Sequence, residues 1–186
     1  MHLGVAGLYG DRGDHPAMRY KSGPESKVTK VNLVDTQAIV GVDSYSQTGL
    51  EAALTFNRFN LQAEYMAATL ERGEGDLNFD GWYVQSSYFL TGDSRSYKKG
   101  RYAPVKPQNL LGKNGIGAWE VALRLSEVDL TDADVIGGQQ QDVSLALNVY
   151  ATQQIRFSAE YIDVLSTSNP TTAQPDLFQL RAEWVL

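Results

Sequence analysis

The chain has 186 residues, of which 42% are hydrophobic and 20% charged, so it is apolar enough to fold and is not a wholly disordered segment. Its 22 acidic and 16 basic residues give a net charge of −6, and the absence of cysteine excludes disulfides and thiolate metal sites. Only His2 and His15 are present, and no nucleophile elbow, phosphate loop or metal-binding motif is found. We therefore expect no enzyme activity, no metal and no cofactor.

Apolar and polar residues alternate with a period of two along most of the chain, which is typical of strands with one apolar and one polar face. The alternation predicts about eight strands, the first running from about Leu3 to Tyr9. In chain order, the apolar faces of the other seven comprise Leu50, Ala52, Leu54 and Phe56; Leu61, Ala63, Tyr65 and Ala67; Trp82, Val84, Tyr88 and Leu90; Trp119, Val121, Leu123 and Leu125; Val143, Leu145, Leu147 and Val149; Ile155, Phe157, Ala159 and Tyr161; and Phe178, Leu180, Ala182, Trp184 and Leu186.

Several predicted strands are about as long as a strand needs to be to cross a bilayer at a tilt, whereas apolar runs are too short for a membrane helix. The predicted connections are short at 57–59 and 151–153 and long at 10–46, 72–78, 130–139 and 166–175. Short turns at one rim and long loops at the other are typical of outer-membrane barrels. We predict an all-β, antiparallel transmembrane barrel; a soluble β-sandwich is the alternative, because alternation alone does not distinguish them.

One connection, residues 92–115, departs from this arrangement because it is long but lies on the side of the short turns. It carries a net charge of +5, although the rest of the chain carries −11. Its single acid is Asp93, and its basic residues are Arg95, Lys98, Lys99, Arg101, Lys106 and Lys113. Such a concentration of positive charge in an acidic chain indicates contact with an anion, although a solvated surface patch has the same composition.

Three arginines fall on the predicted polar faces of strands: Arg124, Arg156 and Arg181. Lysine is a mobile point charge and arginine a planar fork that matches phosphate oxygens, so both suit an anion site in a pore. We expect Lys98, Lys99, Arg101 and Lys106 to form a constriction and the three arginines to line the wall. Alternatively, the arginines pair with Glu120, Glu160 and Glu183 and leave little net field.

Long stretches of the chain resemble the phosphate- and polyphosphate-selective outer-membrane porins. The likeness is carried by "SYFLTGDSRSY", "GRYAPVKPQN" and "GAWEVALRLSEVDL" between residues 87 and 130, by "PESKVTKVNLVDT" at 24–36, and by "GLEAALTFNRFNLQAEYM" at 49–66. It extends over nearly all of residues 1–186 but over about half of a family member. Gln108 and Gly23 stand where the family often has lysine and arginine, so the preferred anion stays open.

The resemblance implies that these strands are the second half of a sixteen-stranded barrel, which assembles as a homotrimer in the bacterial outer membrane. The loop at 10–46 is then an extracellular loop folded inwards, and 92–115 a periplasmic connection that also enters the pore. The expected partners are inorganic anions, outer-membrane lipid and the N-terminal half of the barrel, with no nucleic acid. The segment after Met1 has no basic region, so we do not expect it to be a signal peptide.

Two other functions fit the same residues. A soluble sandwich that binds an acidic polymer would use the same basic connection, and a small outer-membrane barrel of eight strands would have an interior filled by side chains and would not conduct. The sandwich would bury the apolar faces of its strands against each other. A barrel would leave them outside.

Overall fold

The computed structural model describes residues 1–13, 17–98, 100–113, 115–168 and 174–185. In chain order its strands are β1 (His2–Asp11), β2 (Ala17–Met18), β3 (Lys21–Ser22), β4 (Val34–Asp35), β5 (Ile39–Val40), β6 (Val42–Phe56), β7 (Phe59–Arg72), β8 (Leu77–Phe89), β9 (Tyr97–Lys98), β10 (Arg101–Tyr102), β11 (Ala118–Asp132), β12 (Val135–Tyr150), β13 (Ile155–Thr167) and β14 (Asp176–Trp184). None of these described residues form a helix long and apolar enough to span a membrane.

The eight long strands form one antiparallel sheet in the order β1-β6-β7-β8-β11-β12-β13-β14, which confirms the predicted strands. Each strand pairs with the next long strand along the chain, so the topology is a simple meander. The short strands form three separate pairs, β2 with β5, β3 with β4, and β9 with β10. The first two pairs belong to the connection 12–41 and the third to the connection 90–117.

The two faces of the sheet differ as the alternation predicts. The apolar face carries the residues predicted for it, except that Leu186 lies outside the described residues. These side chains are exposed or half-buried: Leu3 is 67% exposed, Leu145 56% and Leu180 73%. The described residues place no second sheet against this face. The described chain is therefore not a sandwich, because a sandwich would bury these side chains.

The opposite face, called the polar face, presents Glu64, Gln85, Arg124, Asn148 and Arg156 on successive strands. The two long connections pack on this face. Val34, Ile39 and residues of the sheet such as Leu70, Leu77 and Leu130 form a buried cluster under connection 12–41. A second cluster of Phe89, Val105, Ala118 and Tyr150 lies under connection 90–117.

β1 and β14 are the two edges of the sheet, and in the described part of the chain they do not pair with each other. The eight strands therefore do not close a barrel by themselves, as the alternative of a small eight-stranded barrel would require. Edge strands carry unpaired backbone N–H and C=O groups along their length. These two edges are available for further strands.

The lengths of the connections agree only in part with the predicted alternation of short turns and long loops. Tight turns at 57–58 and 151–154 share one end of the sheet with connection 90–117, as predicted, and this end is called the turn end. The expectation of a long loop at 130–139 is wrong, because β11 and β12 continue to a two-residue turn at Ala133 and Asp134. The polar residues there resemble a loop in sequence, but their backbones stay paired, and Ala133 accommodates the turn with a positive φ of 48°.

Shortening Val34 tests whether connection 12–41 is held by its buried cluster. Val34 is 0% exposed, so we expect Val34→Ala to lower the free energy of unfolding by about 2 kcal/mol through lost burial and a cavity. The matched control is Val28→Ala in the same connection, where the side chain is 84% exposed and the change should stay within about 0.5 kcal/mol. Denaturant titration of the protein measures both, and equal losses would contradict this packing.

Candidate anion site

A cavity of about 340 Å³ lies between connection 12–41 and the polar face. The connection supplies Glu25, Lys27 and Val28, and the rest of the lining comes from β8, β11, β12, β13 and β14. The three predicted wall arginines, Arg124, Arg156 and Arg181, all line this cavity. The sheet thus brings together residues from three different strands, because polar-face positions on neighbouring strands lie side by side.

The tip of connection 12–41 is fixed to the wall by three polar contacts. Arg124 Nε donates to Glu25 Oε1 at 2.7 Å, and Ser26 Oγ donates to Gln179 Oε1 at 2.9 Å. Gln140 Nε2 donates to the carbonyl of Gly23 at 3.0 Å. These contacts reach β11, β12 and β14, so the tip is held across much of the sheet.

The four basic side chains of the cavity fall into two classes. Arg124 is paired with Glu25 and also stacks on the Tyr83 ring, 3.7 Å from its centroid. Arg156 Nη2 pairs with Glu183 Oε2 at 2.6 Å. Lys27 and Arg181 are exposed and have no ion-pair partner within the described residues. Two positive charges of the cavity are therefore free to attract an anion.

The sequence left open whether the wall arginines pair with Glu120, Glu160 and Glu183. Only the pair of Arg156 with Glu183 is found in the described part of the chain. Glu160 instead accepts a hydrogen bond from Gln179. Lys27 lines the cavity but is not among the predicted site residues. Nothing in the sequence indicates which wall residues its connection contacts.

Two buried polar atoms of the cavity-lining residues have no hydrogen-bond partner in the described structure, Ser144 Oγ and Arg156 Nε. Leaving a buried donor unpaired costs roughly 1–3 kcal/mol. Both groups can donate to an oxygen atom.

Connection 90–117 is anchored to the polar face by the carboxylate of Glu120, which is 2% exposed. It accepts hydrogen bonds from Ser87 Oγ at 2.7 Å, Tyr150 Oη at 2.7 Å, Arg95 Nη2 at 3.2 Å and Asn148 Nδ2 at 3.4 Å. Arg95 is therefore engaged with the wall and also contacts Tyr150 directly. The Tyr150 ring lies between two cations, 5.7 Å from Arg95 Cζ and 5.8 Å from Arg156 Cζ, which places the anchor beside the cavity.

Asp93, the acid of this connection, ties the two limbs of the connection together. It is 3% exposed, accepts a hydrogen bond from Thr91 Oγ1 at 2.6 Å and accepts another from the backbone N–H of Gln108 at 2.8 Å. The side chain of Gln108 in turn donates to the carbonyl of Gly92 at 3.1 Å. Gln108 thus braces the start of the connection.

The tip of the connection is the β9–β10 ribbon, which crosses the polar face towards β7 and β1. Tyr97 and Tyr102 pack edge to face with ring centroids 4.9 Å apart, and the Tyr97 ring lies 5.3 Å from the His2 ring. Tyr102 Oη donates to the carbonyl of Leu61 at 3.4 Å, and burial raises the pKa of Tyr102. The ribbon is thereby held across the sheet from β12 to β1.

The remaining predicted cations of this connection are placed as follows. Arg101 and Lys106 are exposed, and so is Lys113. Lys98 pairs through its backbone with Arg101, and Lys99 lies outside the described residues. Of the predicted basic residues that the structure describes, Arg124, Arg156 and Arg181 therefore line the cavity, and the others belong to connection 90–117.

Connection 12–41 has its own internal ion pair between Arg19 and Asp35. Arg19 Nε donates to Asp35 Oδ1 at 2.7 Å, and this hydrogen bond lowers the pKa of Asp35 to about 2. A lowered folded-state pKa means that the stabilisation is present above the ordinary carboxyl pKa of about 3.9 and is lost as the pH falls towards about 2. The pair therefore persists at any pH near neutrality. No cluster of metal ligands occurs among the described residues.

Removing the Glu120 carboxylate tests the anchor of connection 90–117. We expect Glu120→Ala to lower the free energy of unfolding by about 3–5 kcal/mol, because Arg95 is left without its buried partner. Removing both partners should restore part of that loss, which a double-mutant cycle with Arg95→Ala measures by denaturant titration. Glu74→Ala, in an exposed turn, is the control, and additive losses of Glu120 and Arg95 would contradict the anchor.

Comparison with known proteins agrees with the resemblance. The family model described as "Phosphate-selective porin O and P" matches residues 2–186. The chain is 33% identical over 165 residues to an uncharacterized protein of Caulobacter vibrioides, covering 87% of this chain and 33% of that protein. It is 31% identical over 154 residues to Porin O of Pseudomonas aeruginosa, covering 74% of this chain and 34% of that protein.

The chain thus spans about a third of the length of the curated relatives it matches, which is less than the half expected from the resemblance. The match of the family model is nearly complete over the chain itself. It covers all eight long strands and both long connections. The chain belongs to the phosphate-selective porin O and P family.

Proposed function

We propose that the chain is part of an anion-selective outer-membrane diffusion channel for phosphate, polyphosphate or similar anions, and that it is not an enzyme. In this proposal the polar face lines a water-filled pore and the apolar face contacts lipid. The observation that carries it is the exposed apolar face of a single-layer sheet whose two long connections both pack on the other face. Such a sheet needs an apolar medium outside and water inside.

The aromatic residues of the apolar face support membrane insertion. Phe56, Phe59 and Tyr88 are paired neighbours at the turn end, and Trp82 is paired with Tyr65 further along the same strands. The two rows lie roughly 20 Å apart along the strand at about 3.3 Å per residue, which is close to the height of the apolar band of outer-membrane barrels. At the second row the same face begins to turn acidic, because Glu127 is paired with Trp82, and Glu71, Asp80 and Asp129 lie further along the strands.

Closure of the barrel requires strands from elsewhere, because unpaired backbone groups at the edges of β1 and β14 would cost several kcal/mol each in lipid. The curated relatives are about three times as long as the matched region, so the remaining strands of such a protein are the simplest source. Sixteen strands in total and a trimeric assembly follow from the resemblance and belong to the proposal.

The anion path in this proposal runs over the cavity wall and the β9–β10 ribbon. Lys27 and Arg181 supply uncompensated charge, Arg124 and Arg156 hold the wall, and Arg95 anchors the ribbon. Connection 90–117, which carries the ribbon at its tip, contributes Lys98, Lys99, Arg101, Lys106 and Lys113. Selectivity requires sites that attract the anion but release it readily, which exposed and flexible side chains provide.

A charge on the apolar face tests whether that face meets lipid. We expect Leu145→Arg to lower the unfolding free energy in lipid vesicles by about 2–4 kcal/mol, the cost of an arginine at the middle of the bilayer. The matched control is Ala146→Arg, the next residue along β12, which lines the cavity and should lose far less. Similar costs for the two variants in denaturant titrations would show that the Leu145 face is not in lipid.

Neutralising the free cations tests the anion site. We expect Lys27→Gln and Arg181→Gln each to lower the anion-over-cation permeability ratio roughly twofold, because a unit charge about 10 Å away is worth about 0.4 kcal/mol in water. Reversal potentials of the protein with its proposed closed barrel in planar bilayers, under chloride and phosphate gradients, measure this. Lys21→Gln is the control because Lys21 does not line the cavity.

The ribbon has its own test in the same bilayers. Neutralising Lys98, Lys99, Arg101 and Lys106 together should reduce anion preference further than either cavity variant, because four charges are removed. An unchanged preference would remove the ribbon from the anion path. A protein that inserts but does not conduct would contradict the channel itself.

A further inference from the structure

A second pocket, called the rim pocket, lies on the outside of the sheet at its turn end. Its volume is about 530 Å³, and it is lined by Phe56, Asn57, Arg58, Phe59, Tyr88, Gly92 and Ser94. The three aromatic rings belong to the apolar face, so the rim pocket faces away from the polar face that carries the anion cavity. Its residues are used by neither the cavity wall nor the ribbon.

Arg58 is the charged group of the rim pocket, and its place is fixed by its surroundings. It belongs to the two-residue turn between β6 and β7, and its carbonyl accepts a hydrogen bond from the Phe89 N–H at 3.0 Å. Its guanidinium lies over the main chain at Gly92, where a Cβ atom would be 3.2 Å from Nη2. Gly92 has a φ of +89°, so glycine provides both the turn and the space for the guanidinium.

The guanidinium of Arg58 has no hydrogen-bond or ion-pair partner among the described residues. The neighbouring acid, Asp93, directs its carboxylate to Thr91 and Gln108 instead. An exposed arginine among aromatic rings, held against a backbone, retains all of its donors. Planar guanidinium groups of this kind match the oxygens of a phosphate.

We propose that the rim pocket binds the phosphate of a phospholipid headgroup in the leaflet at the turn end. This inference rests on the proposed membrane insertion. Arg58 supplies the charge-assisted contact, and the hydroxyls of Ser94 and Tyr88 are the further donors in the lining. The acyl chains of the lipid follow the apolar face beside Phe56 and Phe59.

The aromatic lining favours a lipid over a free phosphate ion. Phe56 is 68% exposed and Tyr88 44% exposed, and both continue into the lipid-facing stripe. A free ion gains nothing from these rings, whereas a lipid buries them against its chains while its phosphate stays at the interface. Charge and apolar surface are adjacent in the order that a phospholipid presents them.

Native mass spectrometry of the protein in detergent tests this site. We expect the protein to retain phosphatidylglycerol about tenfold better than diacylglycerol, which has the same chains but no phosphate, because one charge-assisted contact is worth about that factor. Arg58→Ala should abolish the preference, and Arg58→Lys should keep part of it because the charge remains. Lys30→Ala, which removes a charge from the other long connection, should leave it unchanged.

Three results would overturn the site. They are equal retention of the two lipids, retention unaffected by Arg58→Ala, and displacement of the lipid by excess inorganic phosphate, which would assign the pocket to a free anion. Conductance of the same preparations is read separately and should be unchanged in Arg58→Ala. If the unmodified protein does not conduct, the proposed channel is contradicted. If it conducts but shows no lipid preference, only the rim pocket is contradicted.

Discussion

The structure depends on one constraint. A single-layer sheet with one apolar face and one polar face needs different surroundings on its two sides. Along β12, for example, Leu145 is exposed on one side while Asn148 contacts a buried carboxylate on the other. The described residues cover the polar face with both long connections and leave the apolar face open. The usual arrangement of a water-soluble sheet is therefore inverted, and the hydrophobic effect alone would not keep this sheet single-layered in water.

The same constraint explains where the small buried clusters lie. They are not between two sheets but beneath the connections, at the two ends of the polar face. Between them the polar face keeps open space, which is the cavity with Arg124, Arg156 and Arg181. The connections thus narrow the space over the sheet without filling it. Among the anchoring side chains Glu120 and Gln140 are buried, whereas Lys27 and Arg181 at the open space are exposed.

Much of this could be predicted from the sequence, because alternation with a period of two is a local signal. It gave the eight strands and the face on which Arg124, Arg156 and Arg181 lie. It failed at 130–139, where polar residues continue a paired hairpin, because pairing depends on the partner strand and not on composition. The role of Lys27 and the anchoring of Arg95 by Glu120 depend on how the connections cross the sheet, and no local pattern reports that crossing.

Two acids, Asp93 in connection 90–117 and Glu120 on the polar face, hold this connection in place without neutralising most of its basic side chains. Glu120 and Asp93 are nearly fully buried, and each is satisfied by several donors. Of the basic side chains in the connection that the structure describes, only Arg95 is neutralised by them, whereas Arg101 and Lys106 stay exposed. If the acids were at the surface, they would cancel the field that the connection presents. Because they are buried at its base, they hold the connection in place and leave its charge at the tip.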